Sequence, residues 1–151
     1  MSNYQFEVSA FNNLIAFIIG TCIGSFVNVI IHRFPLNESV FHPRSHCRKC
    51  KSMIPWYRNI PLLSWVMLRG KCSKCNSEIS IIYPLTEFSF GILLILNNYC
   101  QSANLITISP ILQKIMSGVF LSILLSLAII DYIYLWIPKS IVNIGILIGL
   151  T

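Results

Sequence analysis

Apolar residues in this chain come in long runs separated by one extended polar stretch. The first run covers about residues 11–31, the second 79–99 and the third 111–131. A fourth opens near residue 136 and continues to 151. Nearly uncharged runs of this length predict bilayer-crossing helices, because a hydrocarbon core of roughly 30 Å is spanned by about 20 apolar helical residues. The fourth run falls short of the usual minimum of about 17 residues, so it is expected to tilt, fray or be incomplete. Residues 1–10 are short and polar and carry no Lys or Arg. With no basic start and no small-residue cleavage site, the first run reads as a retained helix rather than a signal peptide. The expected fold class is an all-α polytopic membrane protein with about four transmembrane helices and one polar loop domain at residues 32–78. The same pattern places an outside N-terminus at 1–10 and an outside loop at 100–110.

Polar and small residues inside the runs mark packing faces. Gly20 and Gly24 permit close backbone approach, and Asn28 lies one turn beyond Gly24 on the same face. Its amide is costly in lipid unless paired, so that face is expected to point into a helix bundle. Glu87 lies one turn beyond Tyr83 and one before Gly91, and an ionisable group there also prefers the interior. Pro84 is tolerable near the start of its helix. Gly145 and Gly149 give the last run a close-packing face.

Composition supports the membrane reading. The chain is 55% hydrophobic and 11% charged, against roughly 25% charged in soluble domains. Nine of its eleven Lys and Arg residues lie between Arg33 and Lys74. A basic excess beside membrane spans follows the positive-inside rule, which accounts for it better than nucleic-acid binding does. The polar domain is therefore expected in the cytoplasm, with Asp131 and Lys139 at the cytoplasmic boundary. Lys114 opposes the rule weakly.

Four of the six cysteines form two close pairs in this domain, Cys47 with Cys50 and Cys72 with Cys75. Thiols in a cytoplasmic loop stay reduced. Two CxxC turns can place four soft thiolates around one tetrahedral zinc ion, and a four-thiolate site is closed and therefore structural. Unmetallated or oxidised dithiols are the alternative. His42 and His46 are nearby replacement ligands and read first as loop histidines; Cys22 and Cys100 read as membrane or edge residues. A small domain broken by Pro35, Pro43, Pro55 and Pro61 needs such a staple. Between the pairs, residues 54–65 are aromatic and apolar enough to lie against a membrane surface or cover the metal knuckle.

Asp131 is the only aspartate. By pattern alone it is a helix-end residue or one half of an acid pair. Aspartic catalysis uses two carboxylates, one activating water and the other donating a proton. Glu87 lies well inside its run whereas Asp131 closes one, so the two are not expected to pair.

The ordered series of motifs resembles the prepilin leader peptidase / N-methyltransferase family of type IV pili and type II secretion. The resemblance is carried by Gly24-Ser25-Phe26-Val27-Asn28-Val29 with Arg33 and Pro35, and by the two CxxC pairs. It continues through Asn59-Ile60-Pro61-Leu62-Leu63-Ser64-Trp65, Arg69-Gly70-Lys71-Cys72, Tyr83-Pro84 with Glu87, and Ile130-Asp131 with Pro138. It covers nearly all of residues 20–151 but only the front of a full family protein.

The resemblance implies a bacterial inner-membrane aspartic endopeptidase that removes basic leaders from prepilins and pseudopilins at the cytoplasmic face. It also implies possible methylation of the new N-terminus from S-adenosylmethionine. Asp131 would be the first catalytic aspartate, and Cys47, Cys50, Cys72 and Cys75 would hold the metal. The family's second aspartate sits in a later GxGD motif, and no GxGD occurs here. Lys139, Arg58 and Ile82 each remove or reverse a charge usual in the family. The expectation is a chain unable to cleave alone, either a truncated product or half of a split enzyme with a separate C-terminal partner. A non-catalytic interaction protein of the membrane is the alternative.

Overall fold

The computed structural model describes residues 3–33, 36, 38–100, 110–135 and 139–149. Pro35, the 101–109 link, Pro138 and Leu150 lie outside the described residues. The described architecture is helical. Its elements are α1 (Asn3–Arg33), a 3₁₀ turn (Trp56–Arg58), α2 (Leu63–Met67), α3 (Ile82–Cys100), α4 (Pro110–Tyr134) and α5 (Lys139–Gly149). Among the described residues there are no strands, only two isolated antiparallel bridges.

Among the described residues, two segments are long and apolar enough to cross a membrane. They are Ser9–Arg33 in α1, with mean hydropathy 2.4, and Leu112–Tyr134 in α4, with mean hydropathy 2.0. Helix α3 carries Pro84, Glu87, Asn97 and Asn98 in 19 residues, and α5 has 11 residues, so neither reaches that standard. The Ser80 hydroxyl accepts the Ile82 N–H at 3.2 Å and caps the start of α3. Pro84 falls in the first turn, where a missing N–H breaks no helical bond.

The chain divides into two compact units, one of residues 1–20 with 90–151 and one of residues 21–89. In the first unit, polar side chains on apolar helices are satisfied by one another. Asn97 on α3 donates to the Lys114 carbonyl at 3.1 Å and accepts the Ser117 hydroxyl at 2.9 Å, both on α4. Lys114 donates to Asn98 Oδ1 at 3.2 Å, Asn98 donates to Asn13 on α1 at 3.2 Å, and Asn13 donates to the Tyr99 hydroxyl at 2.9 Å. This chain of bonds ties three helices together and satisfies these polar groups from within the protein. It also gives Lys114 a packing role. Further along α4, Ser122 and Ser126 return their hydroxyls to the carbonyls one turn back, both at 2.7 Å.

Small residues set the closest helix contacts. A Cβ on Gly20 would collide with the Phe90 carbonyl oxygen and lie 2.8 Å from the Gly91 Cα. On α5, Gly145 faces Ile123 and Gly149 faces Phe120. Backbone cannot yield as a side-chain tip can, so Gly20→Leu is expected to destabilise the folded protein by about 1–3 kcal/mol. Gly145→Ala, whose Cβ meets only the Ile123 methyl at 3.3 Å, should change little. Thermal unfolding of both variants in detergent checks this; equal melting temperatures would contradict the Gly20 contact.

Candidate metal centre

The two cysteine pairs fold alike because they share a six-residue pattern, Cys-x-x-Cys-x-Ser. It runs from Cys47 to Ser52 and from Cys72 to Ser77. In each copy the N–H of the first cysteine donates to the serine carbonyl, at 2.9 Å for Cys47 and 2.8 Å for Cys72. The residue after the second cysteine donates back to the first cysteine's carbonyl, Lys51 to Cys47 and Asn76 to Cys72, both at 2.9 Å. That return needs a left-handed residue, with φ of 56° at Lys51 and 55° at Asn76. Asn adopts this region readily, whereas Lys is held there by the surrounding bonds. One antiparallel bridge closes the base of each turn, His46 with Met53 and Lys71 with Glu78.

Cys47, Cys50, Cys72 and Cys75 converge so that their sulfurs all lie within 4.8 Å of one another. Cys47 and Cys75, from opposite turns, are 3.8 Å apart. A tetrahedral ion with metal–sulfur bonds of about 2.3 Å separates its sulfurs by about 3.8 Å, so the arrangement fits zinc with small adjustment. Cys72 is buried, Cys47 half-buried, and Cys50 and Cys75 exposed. His46 faces its own loop, Nδ1 lying 3.0 Å from the Arg44 carbonyl, and among the described residues the cluster contains no histidine.

The repeated serine is a site feature that the CxxC spacing leaves hidden. Ser52 Oγ is 3.0 Å from Cys50 Sγ, and Ser77 Oγ is 3.1 Å from Cys75 Sγ and 3.6 Å from Cys47 Sγ. The matching serine in both six-residue copies was the signal available in sequence. The N–H of Cys50, then the Ser77 hydroxyl, pull the Cys47 thiol down to about 6. The Ser77 hydroxyl likewise lowers Cys75. At Cys50 the hydrogen bonds from Ser52 pull downward, while desolvation and the hydrogen bonds to the Cys75 and Cys47 thiols push upward, and the thiol moves up. Crowded thiols cannot all ionise without a cation among them, and an ion bound by four thiolates removes that conflict.

The loop around the turns is fixed by side chains from both flanking helices. Arg33, at the end of α1, is buried and donates to the Ser39 carbonyl at 2.9 Å. Glu87 on α3 accepts the Leu62 N–H at 2.7 Å. Leu62 has φ of 61°, and this carboxylate satisfies the backbone where α2 begins. Trp65 donates its indole N–H to the Ile79 carbonyl at 3.2 Å. Its ring lies where a Cβ on Gly70 would stand, 2.9 Å from Cζ2, and Gly70 has φ of 67°. Only glycine meets both demands easily.

Asp131 lies in the last turn of α4 and is exposed. Its carbonyl accepts the N–H of Leu135, whose φ of 51° marks the helix end. Asp131 belongs to the unit built from the chain termini, whereas the cysteines and Glu87 belong to the other.

Residues 18–101 match the model of the Bacterial Peptidase A24 N-terminal domain. The prepilin leader peptidase/N-methyltransferase of Myxococcus xanthus is 40% identical over 134 residues, covering 89% of this chain and 38% of that protein. The protein of the same name from Vibrio cholerae is 43% identical over 84 residues, covering 50% of this chain and 33% of its own length. That of Legionella pneumophila is 32% identical over 164 residues, covering 93% and 54%. The chain thus spans about a third to a half of the relatives it matches. No solved structure matches. The matched domain model encloses both Cys-x-x-Cys-x-Ser turns and the Arg33, Trp65 and Glu87 contacts that brace them, and the chain belongs to the prepilin leader peptidase/N-methyltransferase family through its bacterial Peptidase A24 N-terminal domain.

Proposed function

We propose that these 151 residues form the N-terminal portion of a prepilin leader peptidase in the bacterial inner membrane. The observation that carries this reading is a four-thiol cluster inside the domain match, together with the Myxococcus xanthus relative along most of the chain. The chain crosses the bilayer four times, through α1, α3, α4 and α5, and its cysteine domain faces the cytoplasm. The candidate spans in α1 and α4 and the basic charge of residues 33–74 support that arrangement. Substrates are prepilins or pseudopilins whose leaders are cut at the cytoplasmic face. Methylation of the new N-terminus from S-adenosylmethionine belongs to the same reading.

Cys47, Cys50, Cys72 and Cys75 hold a structural zinc ion. Bound there, the ion supplies a cross-link that ties the two turns and closes residues 51–71 into a loop. Asp131 is one carboxylate of a peptidase dyad, exposed at the end of α4 where a water and a peptide can reach it. Water attack needs a base and an acid, and Asp131 is the only aspartate in these residues. The polypeptide therefore leaves leader cleavage incomplete without a carboxylate from elsewhere. A second reading is half of a split enzyme or a non-catalytic assembly component, with which the charge changes that the resemblance implies at Arg58, Ile82 and Lys139 are compatible. Co-purification of a separately encoded C-terminal half distinguishes the split enzyme.

Purified in detergent and incubated with a prepilin substrate, the chain should release no leader. Leader release that vanishes in Asp131→Asn would overturn the incomplete-dyad reading and require a second acid from this chain. Elemental analysis of freshly reduced protein should give about one zinc per chain, as one four-thiolate site requires. Chelation or Cys72→Ser should raise protease sensitivity across residues 34–80 while leaving the apolar helices inserted. Unchanged digestion after complete metal removal would contradict the cross-linking role.

A further inference from the structure

Between the two cysteine turns, residues 56–67 carry large apolar side chains that the fold leaves uncovered. Trp56, Tyr57, Ile60, Leu63, Val66 and Met67 are all exposed, Trp56 at 73% and Met67 at 82%. Apolar side chains exposed singly are ordinary, whereas a cluster of them marks a surface that something covers. Sequence pattern leaves two uses for this segment, a lid on the metal knuckle or a surface for the membrane. A lid would bury these side chains against the cysteine turns, and neither helical piece of the segment has a buried residue. In α2, Leu63, Val66 and Met67 fall at i, i+3 and i+4 and share one face. Trp65 lies on another face and turns inward, to Gly70 and the Ile79 carbonyl.

Depth and charge say what covers the outward face. Glu87 lies five residues beyond Ile82, where α3 begins, and accepts the Leu62 N–H at 2.7 Å. At about 1.5 Å of rise per residue, Leu62 is held about 7 Å along α3 rather than beyond its end. At that level α3 itself exposes Leu85 and Phe88. The start of α2 therefore sits beside an apolar helix, at the height where that helix shows apolar side chains. Arg58 stands among the apolar residues and Arg69 and Lys71 follow them, all three exposed. No acidic residue occurs between Glu38 and Glu78. The Arg58 guanidinium lies 5.7 Å from the Tyr57 ring centroid, so charge and aromatic ring are presented together. Aromatic and aliphatic side chains mixed with Arg and Lys suit a membrane interface, where the apolar groups enter the acyl boundary and the cations meet phosphates.

We propose that residues 56–67 dock into the interfacial layer of an anionic bilayer surface beside α3. Leu63, Val66 and Met67 enter the upper acyl region, and Arg58 and Arg69 sit on headgroup phosphates. The Leu62–Glu87 and Trp65–Ile79 hydrogen bonds clamp the inner side of the segment to the start of α3, and lipid closes its outer side. The cysteine domain is thereby held against the membrane at its middle as well as through its two flanking helices. Anionic headgroups are preferred because their phosphate charge is not balanced by a cation in the same lipid. This docking rests on α3 being a membrane span, and it is independent of leader cleavage.

The test uses the full chain in nanodiscs of phosphatidylcholine, with or without phosphatidylglycerol. Benzoylphenylalanine, which inserts into nearby C–H bonds on irradiation, replaces Met67, Phe88 or Lys74 in separate preparations, and mass spectrometry identifies the adducts. Lipid adducts at Met67 should exceed those at Lys74, on the second cysteine turn, by at least about threefold, and phosphatidylglycerol should raise the Met67 yield by about threefold or more. Arg58→Gln with Arg69→Gln should cancel that rise, and Arg58→Lys with Arg69→Lys should retain it. Should the Gln pair fail to fold, the comparison of the two lipids with both arginines in place decides. Phe88 reports on α3 separately. Lipid adducts at Phe88 but not at Met67 overturn the docking and leave the span standing, whereas their absence at both positions overturns both. In native membranes, adducts of Met67 with protein in place of lipid assign the face to a protein partner and overturn the proposal. Equal yields at Met67 and Lys74, no response to phosphatidylglycerol, or a full response in a folded Gln pair also overturn it.

Discussion

Convergence of four thiols is the constraint on which the polar domain depends. The described residues 38–80 contain two short helical pieces, Trp56–Arg58 and Leu63–Met67, and no residue of either is buried. Such a segment leaves most of its large apolar side chains exposed and cannot offset the entropy of ordering its backbone by burial alone. Two hairpin-like turns, each held by a pair of backbone hydrogen bonds and one bridge, bring the sulfurs to metal-binding distance. A tetrahedral ion would then convert two local turns into one folded domain.

Contacts around this cluster come from residues that look unrelated in sequence. Arg33 closes α1 and holds the 39–44 loop. Glu87, well inside α3, fixes the start of α2 through Leu62. Trp65 closes over Gly70 and reaches the Ile79 carbonyl just ahead of α3. The family motifs that contain these residues therefore have structural reasons of their own, before any catalytic role is considered. Arg33 at the end of α1 and Glu87 inside α3 both show charged groups on apolar helices serving the polar domain.

The other unit obeys a related rule, that polar atoms among apolar helices need partners from the protein. Asn13, Asn97, Asn98, Lys114 and Ser117 meet this by bonding across α1, α3 and α4. Charge counting treats Lys114 only as a topological signal that runs against its neighbours. Its bond to Asn98 supplies a local reason for its position, and no count of loop charges contains that information.

Helix character, the four-cysteine cluster and the family were legible in the chain because each rests on local spacing. Apolar runs specify helices through the need to satisfy every backbone group within lipid, and paired CxxC turns specify thiolate chemistry. The serine after each pair was legible too, as a six-residue repeat, but its contact with sulfur required the folded turn. Asn28 was expected to face inward, yet its sequence position could not reveal that one amide atom pairs with Tyr83 while the other stays free. Nor could the chain disclose that Glu87 reaches back to Leu62. Periodicity places a residue on a face, whereas hydrogen-bond partners depend on where a distant segment comes to rest. Sequence alone thus determined helix character and the pairing of the cysteines, and tertiary packing decided which buried polar atoms are satisfied.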